Sequence, residues 1–398
     1  MRRICLFLLL LLGLCACGQK EPGSAPGDAS LKEEASVLPT DTADQTQYTW
    51  DIMWENDIGV ERLELEYAQS FSVDFGEGGY ARIQIDQETY LLCPEGLDPP
   101  ADTPEDVTVL YQPLDNIYLQ ATAAMDCFRK LDAIDAITMS GTQAEGWYID
   151  EARKAMESGA MVYAGKYSAP DYELILDKGC DLALESTMIY HNPEVKEQLE
   201  RFGVPVLVER SSYESHPLGR MEWIKLYGVL LGKLDEAEAY FDRQMEQLVP
   251  ILEQENTGKT VAFFSVTSNG SVTVRKSGDY IAKAIDLAGG VYVFPDLAEE
   301  ENALSTMNIQ MEVFYDAAKD ADVLIYNSTI EADLETIDQL IAKSAPLADF
   351  KAVRSGDVWC TGKSMFQESQ SVGEMILDIH AVLAGEDVDG LTYLRQLK

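Results

Sequence analysis

The sequence predicts an α/β fold: two Rossmann-like α/β lobes joined by a single long helix, with an N-terminal β-hairpin region. Three observations predict it. Short apolar strand segments alternate with amphipathic helical ones from residue 105 onward, the pattern of a mostly parallel sheet faced by helices. The alternation gives way to a continuous helical run over 216–256, and then resumes. Ahead of all this, "FSVDFGEGGYARIQI" (71–85) and "ETYLLCPE" (88–95) alternate apolar and polar residues around Gly76, Gly78 and Gly79, a hairpin signal. The expected organisation is a signal peptide over 1–16, a lipidated cysteine and flexible tether over 17–48, and an N-terminal lobe over 49–232. That lobe holds the hairpin region (60–96) and an α/β part (105–232). An interlobe helix over 233–256 and a C-terminal lobe over 257–398 complete it.

The elements follow in order. Arg2 and Arg3 precede "ICLFLLLLLGL", which is too short for a span of about 20 residues and reads as an export signal. It ends in Leu14-Cys15-Ala16-Cys17, which resembles the bacterial lipobox, and a Gly/Ser/Pro-rich tether follows. Such a tether is flexible. Lipidation at Cys17 is therefore expected. A diacylglyceryl cysteine carries two chains, and stable anchoring needs more than one. The Cys17→Ala protein is expected to leave the membrane fraction; retention there would place the anchor elsewhere.

In the first lobe "VTVLY" (107–111), "AITMS" (136–140), "MVYAG" (161–165), "DLALES" (181–186) and "VPVLVER" (204–210) are strand candidates. Between them "LDNIYLQATAAMDCFRKLD", "GWYIDEARKAMESG", "DYELILDKG" and "NPEVKEQLERFG" read as helical. In the last, Val195, Leu199 and Phe202 share a face, with Asn192 as cap and Gly203 as stop. The helical run over 216–256 is interrupted at Gly232. Beyond it Ala237, Phe241, Gln244 or Met245, and Leu248 form a stripe, and Pro250 bends or ends the helix. In the second lobe "KTVAFFSV" and "GSVTVRKSG" are strands joined at Ser268-Asn269-Gly270. "DYIAKAIDLAGG" is a helix, "VYVFPD" and "DVLIYNS" are strands, "EADLETIDQLIAKS" is a helix, "DVWCT" a strand and "SQSVGEMILDIHAVLAG" a closing helix.

Composition narrows function. The formal net charge of −39 becomes −41 once Arg2 and Arg3 leave with the signal. Such a chain lacks the basic face that nucleic acid needs. The four cysteines beyond Cys17 form no CxxC pair; Cys127, Cys180 and Cys360 sit in apolar or helical settings and read as small buried hydrophobes. Phosphate-loop, dinucleotide, zinc-protease and nucleophile-elbow motifs are absent. His191, His216 and His380 show no metal spacing. No catalytic residue, metal site or resident cofactor is expected, and the chain reads as a monomeric binding protein rather than an enzyme. A secreted α/β hydrolase-like enzyme and a non-transport surface protein are the alternatives from other classes.

Several stretches carry a family resemblance over residues 105–390. "VTVLYQPLDNIYLQATAAMDCFRKLDAIDAITMSG" looks like an opening strand, helix and second strand. "APDYELILDKGCDLALES" places Glu173 eight residues before Asp181. "SGDYIAKAIDLAGGVYVFPD" ends a helix in Gly-Gly, and "NIQMEVFYDAAKDADVLIYN" sets Glu312 ahead of Asp322. In this order they resemble the lipoprotein substrate-binding components of bacterial ABC importers, in the branch that takes iron–siderophore complexes, haem and cobalamin. That family usually has proline before the first aspartate, where this chain has Cys180. The resemblance implies a partner permease and ATPase, docked through Glu173 and Glu312. It also implies a metal chelate as ligand: a siderophore first, cobalamin or haem otherwise. The location it implies is the extracytoplasmic face of the cell membrane.

The stretch "ERSSYESHPLGRMEW" (209–223) holds the candidate ligand contacts. The strand before it delivers it to the carboxyl end of a sheet, where such folds bind ligands. Arg210 and Arg220 can clamp anionic oxygens, and Tyr213 offers a flat amphipathic face. Glu214 and His216 lie between them. The alternative is a structural turn: Glu214 pairs an arginine, His216 satisfies helix-end amides and Trp223 is core, with Pro217 opening a helix. Ser186, Thr187 and Tyr190, with Asn116 and Tyr118, are expected on the first-lobe wall. Ser268, Asn269 and Met365 are expected on the second.

Overall fold

The computed structural model describes residues 49–54, 60–297, 306–329 and 333–398. The signal, Cys17 and the tether lie outside the described residues.

The first sheet is larger than a hairpin. Glu61–Arg62, Phe71–Phe75, Ala81–Ile85 and Glu88–Cys93 form an antiparallel meander, and Val107–Tyr111 pairs parallel to the last of them. "VTVLY" therefore belongs to this N-terminal sheet and does not open the first lobe. The opening strand is Ile117–Leu119, inside a stretch expected to be helical, and the helix there contracts to Met125–Lys130. Tertiary burial decides this. All three residues of the strand are buried, and three apolar residues are too few to reveal a period of 2 or 3.6.

The first-lobe sheet is wholly parallel. Val206–Glu209 and Leu182–Ser186 lie on one side of Ile117–Leu119, with Ile137–Ser140 and Val162–Tyr163 on the other. Both of its faces are covered. Leu182 and Leu184 face one apolar cluster, while Ala183 faces another with Tyr118, Ile175, Val195 and Leu199. Buried parallel strands of this kind read as continuous apolar runs. Asn192 occupies the N-cap of Pro193–Arg201, but its amide donates to Glu194 Oε1 at 3.3 Å instead of capping a backbone N–H.

The helical run over 216–256 divides into three: Pro217–Glu222, Ile224–Leu230 and Leu234–Leu252. The second break falls at Gly232, where φ is +65°, a conformation costly for other residues. The third helix buries Ala237, Phe241, Gln244 and Leu248, the predicted stripe, together with Tyr240. Pro250 lies in its last turn.

In the second lobe Thr260–Val266, Val323–Tyr326 and Val358–Thr361 run parallel at the centre. Val272–Arg275 and Thr306–Ile309 add antiparallel strands on one side, and Leu394–Gln396 on the other. The last two strands escape sequence reasoning because they are short and largely exposed.

One device recurs in both lobes. Asp181, just before a buried strand, accepts from the backbone N–H of Asp115 and Asn116, both at 3.0 Å. Asp322 does the same for the N–H and hydroxyl of Thr260, at 2.8 and 2.9 Å. Each carboxylate ties the amino ends of two neighbouring parallel strands together. The replacement of proline by Cys180 leaves this tie intact in the first lobe. Cys93, Cys127, Cys180 and Cys360 are all buried free thiols.

Candidate functional site

The carboxyl ends of two adjacent strands build the site. Ser186 and Glu209 are register partners, so the turns that follow them, Thr187–His191 and Ser211–Tyr213, emerge side by side. Tyr213 Oη donates to Thr187 Oγ1 at 3.4 Å. The Arg210 guanidinium stands 4.9 Å from the centre of the Tyr213 ring, within cation–π range. Tyr190 and Tyr213 are both about half exposed, at 46 % each. Ser186, Thr187, Tyr190, Arg210 and Tyr213 thus come together.

The rest of the 209–223 stretch is turned to structure. Glu214 is buried. Its Oε1 accepts from the N–H of Gln69 and Ser70 at 2.9 and 2.8 Å, and from Trp223 Nε1 at 3.0 Å. This is a correction: burial and three bonds to Oε1 turn Glu214 to holding residues 69–70 and Trp223 in place. Trp223 is core, packed edge-on against Phe71. His216 caps Pro217–Glu222, its Nδ1 accepting from the Leu218 N–H at 3.3 Å, and its ring stacks on Tyr67. Burial, then the charge of Lys283, lowers the His216 pKa; the neutral imidazole is the form that can accept at Nδ1. Pro217 opens the helix as the sequence suggests.

Arg220 reaches across to the second lobe. It donates to the carbonyls of Glu214, at 3.0 Å, and Ser212, and its guanidinium lies 3.7 Å from the Tyr280 ring centre. Arg275 faces the same ring at 5.9 Å, and Lys283 Nζ donates to Ser215 Oγ at 3.1 Å. Burial and the Arg275 charge lower the Arg220 pKa. Cationic side chains from both lobes therefore gather along this seam, in a chain with 69 acidic residues and only 30 basic ones.

Two expected contacts lie elsewhere. Asn116 stands at the amino end of the opening strand, beside Asp181 and Thr138, the wrong end of the sheet for the cleft. Tyr118 is fully buried within that strand, and its hydroxyl donates to the Gly165 carbonyl at 2.8 Å. Both placements follow from reading 107–111 as the opening strand. Met365 is buried beside Tyr280, Met375 and Tyr393. Ser268 and Asn269 are exposed, but Asn269 Oδ1 accepts from the Ser271 N–H at 3.0 Å and so serves the hairpin turn.

The seam also holds residues that sequence reasoning missed. Gln367 accepts from the Tyr148 N–H and donates to the Gly146 carbonyl, both at 2.7 Å. The Asp126 carboxylate accepts from the Gln370 N–H at 2.8 Å, and the rings of Tyr148 and Phe366 meet edge-on at 6.0 Å. Glutamine and aspartate pairings across more than 200 residues leave no periodic signal. Among the described residues, no group of three or more His, Cys, Asp or Glu is placed to hold a metal, and no helix is long and apolar enough to cross a membrane.

Known proteins bear on this arrangement. An uncharacterized lipoprotein of Methanocaldococcus jannaschii, MJ0878, is 26 % identical over 247 residues, which are 61 % of this chain and 58 % of that protein. The chain thus matches under two thirds of this relative's length. The catecholate-siderophore binding protein VctP of Vibrio cholerae aligns over 68 % of this chain and 95 % of its own, at 14 % identity and a TM-score of 0.55. A periplasmic haem binding protein of Pseudomonas aeruginosa aligns over 71 % and 95 %, at 15 % identity and a TM-score of 0.51. These likenesses, at such low identity, bear on the fold alone. A sequence profile described as periplasmic binding protein matches residues 126–364, which takes in part of the seam and most of both lobes, and the chain therefore belongs to the periplasmic binding protein family.

Proposed function

We propose that this chain is the extracytoplasmic substrate-binding component of an ABC importer, anchored through Cys17, and that it captures an anionic iron–siderophore-type chelate between its lobes. The observation that carries the ligand class is the meeting of Arg220 from one lobe with Arg275 and Lys283 from the other, with Arg210 over Tyr213 at the first-lobe strand ends, against so acidic a background. Arg275 pairs with Asp279 at 3.4 Å and Arg210 with Asp86. Arg220 and Lys283 instead rest on carbonyls, a ring and a hydroxyl, and an anion between the lobes would give these two a directly bonded counter-charge. Exposed Tyr148, Tyr190 and Tyr213 add flat amphipathic faces suited to catecholate rings. Those same rings favour a second reading, a bulky corrinoid such as cobalamin.

The full chain is incubated with ferric tris-catecholate, ferric hydroxamate, haem and cyanocobalamin, desalted, and its absorbance read. Retention of a ferric chelate supports the proposal. Retention of cobalamin alone replaces the ligand, and retention of none removes chelate capture. With the retained ligand, Tyr213→Ala is expected to weaken binding at least tenfold, or about 1.4 kcal/mol, with an unchanged unfolding midpoint. Tyr213 is half exposed and its one hydroxyl contact is long, so little folding free energy depends on it. Unchanged affinity in titration calorimetry for both Tyr213→Ala and Arg210→Ala would leave 209–213 a structural turn.

A further inference from the structure

The N-terminal sheet over 61–111 lies wholly ahead of the profile match, which begins at residue 126, yet it delivers a charge to the candidate site. Its strands Ala81–Ile85 and Glu88–Cys93 are joined by the two-residue turn Asp86-Gln87. At the tip, Asp86 Oδ2 accepts from Arg210 Nη1 at 2.5 Å. The tip is firmly held. Glu88 pairs with Lys196 on the first-lobe helix Pro193–Arg201 and accepts from the Tyr90 hydroxyl. Asp86 has a φ of +54°, a left-handed conformation that aspartate, asparagine and glycine adopt most readily. Between the tip and the first lobe lies an open cavity of about 380 Å³, lined by Gln69, Ser70, Ser72, Gln84, Asp86 and Arg210 among others.

We propose that Asp86 is a specificity-determining residue: it occupies Arg210 in the unliganded protein and yields it only to a ligand that carries negative charge. This rests on the reading that Arg210 meets the ligand. Asp86 is about half exposed, with 47 % of its side chain accessible, and an ion pair in such a setting is weak and screened by salt. An anionic oxygen can therefore displace it. A neutral ligand cannot, and finds Arg210 already bonded. Until displaced, Asp86 repels the very anions that Arg210 would attract, so it sets a threshold of charge for capture.

Asp86→Asn and Asp86→Gly both keep the turn, since both residues tolerate its φ. Full-length wild type, both variants, Arg210→Ala and the Asp86→Asn/Arg210→Ala double variant are titrated calorimetrically with ferric tris-catecholate and with cyanocobalamin, at low and high salt. Both single Asp86 variants are expected to bind the ferric complex about three- to fivefold more tightly than wild type. The gain should shrink at high salt, vanish in the Arg210→Ala background, and extend to cyanocobalamin, which then finds Arg210 free; a gain confined to the ferric complex would overturn the specificity role. If Arg210→Ala weakens the ferric complex while the Asp86 variants leave it unchanged or weaker, this inference fails and the site stands. If Arg210→Ala changes nothing, or only cyanocobalamin binds, the site reading fails and this inference with it.

Discussion

Replacement of Glu222 by alanine is expected to destabilise the protein by about 3–5 kcal/mol, the cost of breaking a fully buried, paired charge. The Glu222 side chain has no solvent exposure. Its carboxylate accepts from the backbone N–H of Glu66, Tyr67 and Ala68 at 2.8–3.1 Å and from Lys225 Nζ at 2.9 Å. Lys225, only 10 % exposed, also donates to the Glu64 carbonyl. One carboxylate thus fastens residues 64–68 onto the helix Pro217–Glu222. The approach is close: a Cβ on Gly219 would stand 2.9 Å from the Tyr67 carbonyl oxygen. Alanine would leave three backbone N–H groups, the buried one of Ala68 among them, without this acceptor, and the buried Lys225 ammonium without its counter-charge. Glu222→Gln keeps the shape and one acceptor oxygen, so its cost should be smaller, about 1–3 kcal/mol. Urea unfolding followed by near-UV circular dichroism measures both, and amide exchange over 64–70 should rise in the alanine variant. A loss below about 1 kcal/mol, with exchange unchanged, would mean that the segment is held by its apolar contacts alone.

Glu222 also marks where sequence reasoning stops. The core strands were legible because a parallel strand covered on both faces is mostly apolar; Leu182–Leu184 and Val323–Tyr326 stand out as runs between helices. The stripe on Leu234–Leu252 was legible because one buried face imposes a period. Glu214 and Glu222 were not. They are two among 69 acidic residues, and their partners are backbone N–H groups more than 140 residues away, which carry no side-chain signature. The same holds for Asp86 and Arg210, 124 residues apart. Ile117–Leu119 failed for a different reason: a central strand of three residues is specified by its two neighbours, not by its own sequence. That error carried Asn116 and Tyr118 into the cleft. At the site itself, the tyrosine–arginine group after Ser186 and Glu209 was found because topology puts strand carboxyl ends together. The division of labour within "ERSSYESHPLGRMEW" followed from contacts made elsewhere in the chain.

Exchange of Glu173 and Glu312 for arginine together is expected to abolish uptake in cells while ligand affinity stays within about twofold. Two features of the fold support them as the docking pair. Glu173 is the second residue of Tyr172–Asp177, and Glu312 the second of Met311–Ala318; both are exposed. Each helix leads, through Asp181 or Asp322, into a buried parallel strand, so the two glutamates occupy equivalent places in the two lobes. A helix that returns between parallel strands runs against them, which puts its first turn at the strand carboxyl ends. Both acids therefore stand on the side of the sheets where the cleft opens, one per lobe, where a permease could grip both lobes over a bound ligand. A basic socket on that partner would be repelled by the arginines, and like charges set face to face cost several kcal/mol. The competing account is that each glutamate merely complements its helix dipole, worth about 0.3–1 kcal/mol. On that account the double variant loses a little stability and transports normally. Measuring uptake in a strain lacking the native copy, and ligand retention on the same purified variant, separates the two: lost uptake with retained ligand supports docking, and normal uptake leaves the glutamates as helix-end acids.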